Sequence, residues 1–187
     1  MFVLVGYASE HGATRQIAER VASLLLYEGV RAEARPMAEV GDADRYDAFV
    51  LGSAVRRRRW LREGTRFVRR NRAVLAGRPV WLFSVGTARV RGGRLDTRGG
   101  ARGGARGKAP RAPGCASGPR GGVPVRDHRF FPGVVMPGQL SPAGRLLRWA
   151  GHGRYGDFRN WPEIEDWAAG IARSLPRGPR PPAGRRR

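Results

Sequence analysis

The chain has 187 residues and a formal charge of +21, from 36 Lys and Arg against 15 Asp and Glu. Its hydrophobic fraction of 41% is sufficient for one packed domain, which excludes disorder throughout the chain. The single cysteine, Cys115, excludes a disulfide framework, and the short apolar runs exclude a helix of about 20 residues that would cross a bilayer.

The first three predicted elements are a strand, a helix and a second strand. Phe2–Ala8 is an apolar run that ends in small residues, which predicts a strand buried on both faces. A helix is predicted after residue 14, where one apolar stripe is formed by Ile17, Val21, Leu24 and Leu25, and Gly29 is placed to end it. Arg31–Arg35 alternates charged and small residues, so an edge strand closed by Pro36 is predicted.

Two further apolar runs predict two more buried strands, Asp47–Ser53 and Pro79–Val85. Between these runs, one helical face is formed by Trp60, Phe67, Val68, Asn71 and Leu75, which predicts a helix that begins at Trp60. Strands that alternate with helices and are buried on both faces indicate βαβ units and a parallel sheet.

The pattern breaks between Ala88 and Arg126. Of these 39 residues, 30 are Gly, Ala, Arg or Pro. The apolar residues have neither the spacing of a helix nor that of a strand. A low-complexity segment of this composition cannot form a core, so a disordered Gly/Arg-rich insert is predicted in place of a covering helix. The domain is predicted to span residues 1–175 with this insert inside it, and residues 176–187 are predicted to be a disordered basic tail.

Regular patterns return in the last third of the chain. His128–Val135 is predicted to be a strand in which Pro132 marks a bulge or an edge, and Leu140–Trp149 is predicted to be a short helix. The segment Asn160–Glu163 has the spacing of a capping box at a helix start. One face of that last helix then carries Ile164, Trp167, Ala168, Ile171 and Leu175.

The segment with the clearest chemistry is residues 7–17, Tyr-Ala-Ser-Glu-His-Gly-Ala-Thr-Arg-Gln-Ile. Ser9 and Thr14 supply hydroxyls, Gly12 allows close approach of the backbone, and the first amides of a helix have no intrahelical acceptor. The helix dipole favours an anion there, so the segment is a candidate phosphate site. Neither a Walker A motif nor a Rossmann glycine triplet is present. An ordinary turn capped by Ser9 or Thr14 is the alternative.

The same segment resembles the first loop of flavodoxin-type FMN proteins, with Tyr-Ala-Ser-x-His-Gly-x-Thr-Arg-x-Ile-Ala at residues 7–18. Residues 46–55, Tyr-Asp-Ala-Phe-Val-Leu-Gly-Ser-Ala-Val, resemble the third strand of that family and the loop that packs on the flavin. Within the family, the branch of flavodoxin-type protoporphyrinogen dehydrogenases is the most similar. The residues that carry this finer resemblance are Ser53–Arg56, Phe67–Arg70, Phe83–Val85 and Gly156–Trp161.

The resemblance implies a doubly wound α/β fold, with a five-stranded parallel sheet in the order 2-1-3-4-5 and FMN at the carboxyl ends of strands 1, 3 and 4. The switch-point rule for open α/β sheets predicts a ligand at the same edge. The phosphate would be held by Ser9, Glu10, His11, Gly12, Ala13 and Thr14. The flavin ring would be contacted by Ser53, Ala54 and Val55 on one side and by Ser84, Val85, Gly86 and Thr87 on the other.

Four consecutive arginines, Arg56, Arg57, Arg58 and Arg59, follow the predicted ring site. They are either solvated side chains on a loop or a clamp for the two propionates of a porphyrinogen, because Arg pairs bidentately with carboxylates. Positive charge beside a flavin favours its reduced anion and raises its potential, which suits electron uptake from a substrate. No catalytic acid or base and no metal site is predicted.

The remaining aromatic and histidine residues are assigned no chemistry by their sequence context. Trp60, Trp149, Trp161 and Trp167 are predicted to be core residues. His128 and His152 have no partners with ligand-like spacing, and they are given no role.

Three functions remain open on the sequence. The first is an FMN-dependent oxidoreductase similar to the protoporphyrinogen dehydrogenase of heme biosynthesis, passing electrons from an organic substrate to a quinone or a redox protein. The second is a flavodoxin-type electron carrier without a substrate of its own. The third is a flavin-free basic module that binds nucleic acid or an anionic membrane through residues 88–126 and the tail. Under the first hypothesis we expect no specific nucleic-acid partner. We expect a cytoplasmic location, with peripheral contact at the inner face of the membrane.

Overall fold

The computed structural model describes residues 1–57, 59–86, 123–135 and 156–176, together with the backbone of 90–91 and 94–95. The strands are β1 (Phe2–Ala8), β2 (Arg31–Pro36), β3 (Ala48–Arg56), β4 (Arg59–Trp60), β5 (Val80–Gly86), β6 (Val90–Arg91), β7 (Arg94–Leu95), β8 (Val125–Pro132), β9 (Val134–Val135) and β10 (Gly156–Asp157). The helices are α1 (Ala13–Tyr27), α2 (Arg62–Arg70), α3 (Arg72–Ala76) and α4 (Trp161–Ser174).

The central sheet has five parallel strands in the order β2-β1-β3-β5-β8. Counted along the chain, this is the predicted order 2-1-3-4-5, so the predicted fold class is confirmed. The short strand β4 pairs antiparallel with the end of β3, and β6–β7 and β9–β10 form two small antiparallel pairs. The strand order places the carboxyl ends of β1, β3, β5 and β8 along one edge of the sheet.

Two apolar clusters cover the two faces of the sheet. On the first face, called the α1 face, helices α1 and α4 pack together over side chains such as Val5, Phe83 and Phe131. On the second face, called the α2 face, side chains such as Leu51 and Leu82 are covered by α2, α3 and the segment after β2. The strands β1, β3 and β5 are buried on both faces, as their continuous apolar runs predict.

One close approach on the α1 face requires glycine. A Cβ atom added at Gly52 in β3 would lie 1.9 Å from Cζ of Phe83 on the neighbouring strand. The Phe83 ring therefore lies directly on the backbone of β3. Any side chain at position 52 would force the ring or the strand to move. This contact joins the middle of the sheet to the ring cluster under α4.

The start of the last helix follows its capping signal. Asn160 is the N-cap of α4, and its side-chain oxygen accepts a hydrogen bond from the Glu163 N–H at 3.5 Å. The Asn160 amide also donates to the Glu163 carboxylate at 3.3 Å, so the pair is satisfied reciprocally. The predicted apolar stripe is buried, with Ile164 fully inaccessible and Trp167 packed in the α1-face cluster.

Two predicted elements had wrong boundaries. The helix predicted to begin at Trp60 is replaced by strand β4 at that residue, followed by α2 and α3 with a break at Asn71. Trp60 pairs with Val55 across a hairpin, and this tertiary pairing overrides the helical spacing. The predicted strand His128–Val135 is instead β8, which begins at Val125 because Val123 and the first strand residues already pack against the α2-face cluster. It ends at Pro132, and Val134–Val135 pair antiparallel with β10.

Other predictions concern parts of the chain that are not described. Within the segment 88–126, the backbone pair β6–β7 and residues 123–126 are described, and the rest lies outside the described residues. The predicted helix Leu140–Trp149 and the tail from residue 177 also lie outside them. The edge position of Pro132 is confirmed, because β8 is the outermost strand of the sheet.

Candidate functional site

The loop after β1 leaves the N-terminus of α1 without a side-chain cap. Gly12 is the N-cap with φ of 86°, in the left-handed region that glycine adopts at no steric cost. The Ser9 hydroxyl oxygen accepts a hydrogen bond from the Gly12 N–H at 3.0 Å, which holds the loop in a tight turn. The Gln16 N–H bonds to the Gly12 carbonyl at 3.0 Å, so the amides before Gln16 point out of the helix end. The uncapped helix end is therefore suited to an anion.

Thr14 provides a second sign of a ligand at this helix end. The residue is only 1% exposed. Among the described parts of the chain, its hydroxyl has no hydrogen-bond partner. A buried hydroxyl without a partner costs free energy, on the order of 1–3 kcal/mol, unless a ligand or water satisfies it. Because Thr14 lines a cavity, a ligand oxygen in that cavity would supply the missing partner.

That cavity, called the strand-end cavity, has a volume of about 240 Å³ and lies at the carboxyl ends of the parallel strands. The Gly133 N–H donates to the Gly86 carbonyl at 2.9 Å and so joins the ends of β5 and β8 on one side of it. Its walls combine hydroxyls, a helix N-terminus and small apolar side chains. The lining residues are Ser9, Glu10, His11, Ala13, Thr14, Ala54, Val55, Arg56, Arg57, Val85, Gly86, Gly133 and Val134.

A second and larger depression, called the arginine cleft, has a volume of about 1020 Å³ and lies beside the first. Its lining combines cationic side chains with aromatic and apolar ones. The cleft is lined by Tyr7, Ala8, Ser9, Glu10, Gly12, Arg15, Pro36, Ala38, Arg56, Arg57, Arg59, Trp60, Leu61, Arg62 and Glu63. Because Glu10 and Arg56 line both spaces, their ion pair of 2.8 Å stands at the boundary between the cavity and the cleft.

A short hairpin of residues 55–60, called the arginine hairpin, forms the boundary between the cavity and the cleft. Val55 pairs with Trp60 and Arg56 pairs with Arg59 across β3 and β4. At the turn, Arg57 has φ of 48°, a left-handed conformation that is uncommon for residues other than glycine, asparagine and aspartate. Such strained residues persist only where the surrounding structure holds them, and they cluster at functional sites.

Beneath the hairpin lies a row of hydrogen bonds, called the polar row, formed by Trp60, Ser84 and His128. The Trp60 Nε1–H donates to Ser84 Oγ at 2.8 Å, and Ser84 Oγ lies 2.9 Å from His128 Nε2. Burial lowers the pKa of His128, although the negative charge of Asp127 acts in the opposite direction. The imidazole is therefore neutral at neutral pH.

A second buried serine holds the segment that follows the hairpin. Ser53 Oγ accepts a hydrogen bond from the Leu61 N–H at 3.0 Å and donates to the Ala54 carbonyl at 2.9 Å. Ser53 and Ser84 are both fully buried, and neither lines the strand-end cavity. Their hydroxyls are occupied by protein partners on the α2 face.

The structure brings most of the predicted site residues together. Those that line the strand-end cavity are Ser9, Glu10, His11, Ala13, Thr14, Ala54, Val55, Arg56, Arg57, Val85 and Gly86. Gly12 and Arg59 line the adjacent cleft, whereas Ser53 and Ser84 lie behind both spaces. Thr87 and Arg58 lie outside the described residues. Contact of any of these residues with a flavin stays a prediction.

Sequence reasoning missed three residues of this region. Gly133 and Val134 line the cavity, and the rule that parallel strands end at one edge could have indicated them, since they follow the last strand. His128 was given no role, because its partner Ser84 lies 44 residues away in the chain. No local pattern could reveal that pair.

The sheet order and the uncapped helix end define the class of protein: a doubly wound α/β domain with a helix N-terminus suited to an anion after its first strand. Residues 4–99 match the flavodoxin domain family, and the chain belongs to that family. No curated protein matches the sequence. Within the described residues, no helix is both long and apolar enough to cross a membrane.

A solved flavodoxin structure shares the fold at low sequence identity, and two others match with lower TM-scores. The two-electron reduced flavodoxin of Megasphaera elsdenii is 14% identical, with 92% of this chain and 99% of that chain covered and a TM-score of 0.54. A mutant of the flavodoxin from Pseudomonas aeruginosa is 14% identical over 91% and 99% of the two chains, with a TM-score of 0.49. An archaeal flavodoxin is 20% identical over 46% of this chain and 64% of its own, with a TM-score of 0.44. The chain therefore spans less than two thirds of that relative.

Membership in the flavodoxin domain family indicates FMN as the cofactor. The residues present fit this group. The uncapped end of α1 and the unpartnered Thr14 hydroxyl suit a phosphate, and the small apolar residues Ala54, Val55 and Val85 suit the face of a flat ring.

Proposed function

We propose that the chain is an FMN-dependent oxidoreductase that acts on a carboxylate-bearing organic substrate, of the kind used by flavodoxin-type protoporphyrinogen dehydrogenases. The observation that carries the proposal is the arginine hairpin, which borders both the strand-end cavity and the arginine cleft. A substrate in the cleft would lie beside a cofactor in the cavity, with Arg56 and Arg57 between them.

In this proposal the chain binds and orients the cofactor through the loop after β1. The amides of Ala13 and Thr14 and the Thr14 hydroxyl donate to the phosphate, and Ser9 holds the loop in its turn. Ala54, Val55 and Val85 exclude water from the ring. When bound, FMN supplies the redox chemistry, taking electrons from the substrate and passing them to a quinone or a redox protein.

The arginine cleft would bind the substrate through its carboxylates. Arg56, Arg57 and Arg59 are all exposed, and planar guanidinium groups match carboxylates bidentately. The ion pair between Arg56 and Glu10 has side chains 70% and 37% exposed, so it is weak and a substrate carboxylate can replace Glu10 at low cost. Tyr7 adds aromatic surface to the same cleft. The combination suits a large, flat, acidic molecule.

The charge around the hairpin also favours this proposal over an electron carrier of low potential. Positive side chains beside the cavity stabilise the anionic reduced form of a flavin and raise its potential. A redox titration of the FMN-loaded chain separates the two functions. A markedly low potential without turnover of a porphyrinogen would indicate a carrier, and a colourless protein that binds anionic polymers in a salt-dependent way would indicate a flavin-free basic module.

The cofactor site is tested by the double variant Ser9→Ala, Thr14→Val. Thr14→Val should lose one hydrogen bond to a charged phosphate, at a cost of about 1.5–3 kcal/mol, and Ser9→Ala removes the bond that holds the loop in its turn. FMN binding should therefore weaken by at least tenfold while the domain stays folded. The matched control is Ser23→Ala, Thr65→Val, which removes two hydroxyls that bond helix carbonyls outside the cavity. Equal FMN dissociation constants for the two double variants would contradict the assignment.

The substrate site is tested by replacing Arg56, Arg57 and Arg59 with Gln. FMN should remain bound, its potential should fall, and KM for a porphyrinogen should rise strongly. The control is the triple variant Arg66→Gln, Arg69→Gln, Arg173→Gln, which removes the same charge from exposed positions on α2 and α4. If both triple variants behave alike, only net charge matters and the hairpin is a solvated loop.

A further inference from the structure

The polar row lies beneath the arginine hairpin, and the proposed function makes no use of it. It comes from three separate strands: Trp60 from β4, Ser84 from β5 and His128 from β8. Ser84 is fully buried and Trp60 is 5% exposed. Burying a polar group costs free energy unless the group forms a hydrogen bond. A row of hydrogen bonds at this depth therefore fixes the orientation of the side chains that form it.

The row has a defined hydrogen-bond direction. An indole nitrogen can only donate, so Ser84 accepts from Trp60 at 2.8 Å. The Ser84 O–H is then free to donate to His128 Nε2 at 2.9 Å, which requires a neutral imidazole with its proton on Nδ1. Each of the two hydrogen bonds in the row then joins one donor to one acceptor, so the row can hold the Trp60 ring in one orientation.

The ring in turn controls the arginine hairpin. Trp60 pairs with Val55, and the next pair along the hairpin is Arg56 with Arg59. The ring is also packed from the side of α2, since a Cβ atom added at Gly64 would lie 3.2 Å from Trp60 Cε3. A ring that is hydrogen-bonded below and packed above cannot rotate without moving the strand that carries it.

The turn of the hairpin needs such support. Arg57 has φ of 48°, and a side chain in this region costs on the order of 1 kcal/mol. Arginine does not favour this conformation by itself, so contacts of the hairpin must hold Arg57 in it. The anchored Trp60 on one strand of the hairpin and the continuous strand β3 on the other hold the turn in place.

We propose that Ser84 and His128 are positioning residues for the arginine cleft: through Trp60 they hold Arg56 and Arg57 where a carboxylate-bearing ligand binds. The inference rests on the proposed function for the identity of the ligand. The geometry of the hairpin, by contrast, depends on the polar row whatever the ligand is. The two parts can therefore be tested separately.

The first experiment measures binding of mesoporphyrin IX, a dicarboxylate, to the full chain loaded with FMN. Ser84→Ala and His128→Phe should each weaken binding about tenfold, because Trp60 loses its anchor. His128→Gln should bind within about twofold of the original chain, because its amide oxygen can accept from the Ser84 hydroxyl. The FMN dissociation constant should stay unchanged in the two His128 variants. The dimethyl ester of mesoporphyrin IX should bind all variants equally weakly.

The second experiment measures amide hydrogen exchange of residues 55–60 without any porphyrin. His128→Phe and Ser84→Ala should raise exchange in the hairpin about tenfold, and His128→Gln should leave it unchanged. Val125→Ala, a half-buried change on the same strand outside the row, is the control. A variant that fails to fold is replaced by Trp60→Phe, which keeps an aromatic ring at this position and removes the N–H donor with the five-membered ring that carries it.

Each outcome decides one of the two statements. If the original chain binds no mesoporphyrin, the proposed substrate is wrong, and the exchange experiment still decides the positioning role. Unchanged exchange and unchanged binding in His128→Phe would overturn the inference. Equal losses in His128→Gln and His128→Phe would also overturn it, because shape and not the hydrogen bond would then be responsible.

Discussion

The two faces of the sheet are stabilised in different ways. On the α1 face, the rings of Phe83, Phe131 and Trp167 have centroids 5.5, 5.9 and 6.1 Å apart and form a compact aromatic cluster. On the α2 face, the half of the sheet nearest the carboxyl ends carries buried hydroxyls and the polar row. Apolar packing gives stability without direction, whereas hydrogen bonds fix orientation. The face that supports the arginine hairpin is the one that carries the buried serine hydroxyls and the polar row.

Strand β8 shows this contrast residue by residue. Asp127 accepts from the Trp167 indole at 2.9 Å on the α1 face, and the next residue, His128, bonds to Ser84 on the α2 face. Two residues further, Phe130 is half-buried, and Phe131 is fully buried in the ring cluster. Successive side chains of a strand point to opposite faces of the sheet. Substitutions at neighbouring positions of β8 therefore probe the two faces separately.

The largest effect is expected for Phe131→Ala. The side chain is fully buried between Phe83 and Trp167, so its removal leaves a cavity and should lower the free energy of unfolding by about 3–5 kcal/mol. Phe130→Ala removes the same atoms from a half-buried site on the other face and should cost clearly less. Urea unfolding of both variants measures the difference. Equal losses would mean that the two faces do not differ in packing.

A second prediction tests how tightly the α1 face is packed at β3. Gly52→Ala places a methyl group 1.9 Å from the Phe83 ring and should destabilise the chain by about 1–3 kcal/mol. Gly41→Ala is the control, because nothing lies within 4 Å of a Cβ atom there. Thermal unfolding should show a lower midpoint for the first variant and little change for the second. A Gly52→Ala chain as stable as its control would show that Phe83 moves freely.

The pH dependence of stability should show one step from each face. The folded pKa of His128 is lowered by burial, so the unfolded chain binds more protons and stability falls as the pH decreases below about 6.5. Burial raises the pKa of Asp127, but hydrogen bonds from Arg129 and Trp167 outweigh it and hold the pKa below its usual value. That contribution is present above pH of about 4 and is lost as the pH falls further.

Urea unfolding between pH 8 and pH 3 measures both steps. His128→Gln should remove the first step and leave the second, and Asp127→Asn should do the reverse. If either substitution flattens both steps, the two faces are coupled through β8 and the contrast between them weakens.

The smallest effect is expected at the ion pair between α1 and α4. Arg20 Nε donates to Glu165 at 2.9 Å, and the two side chains are 49% and 34% exposed. Exposed pairs contribute about 0–1 kcal/mol, so Glu165→Gln should change the free energy of unfolding by less than 1 kcal/mol. Repeating the measurement in 1 M salt should abolish the difference. A larger loss would show that α4 is held by charge as well as by its apolar face.

The sequence by itself determined the architecture of this protein. Three buried strands follow from continuous apolar runs, the parallel sheet follows from their alternation with helices, and the capping spacing at Asn160 placed the last helix. These features depend on residues that are close together in the chain, so the sequence alone is sufficient to predict them. The loop at residues 9–14 was predictable for the same reason, since strand end, glycine and helix start are contiguous.

Only the tertiary structure decided how the site is held. The polar row joins Trp60, Ser84 and His128 from three strands, and the Ser84–His128 bond spans 44 residues, so neither side chain carries a local signal. Because Trp60 pairs with Val55, it lies in a strand of the hairpin and not in the helix that its spacing predicts. The left-handed turn at Arg57 is likewise imposed, because no arginine prefers it. Local patterns determine which elements form, whereas hydrogen bonds between distant strands determine where functional side chains stand.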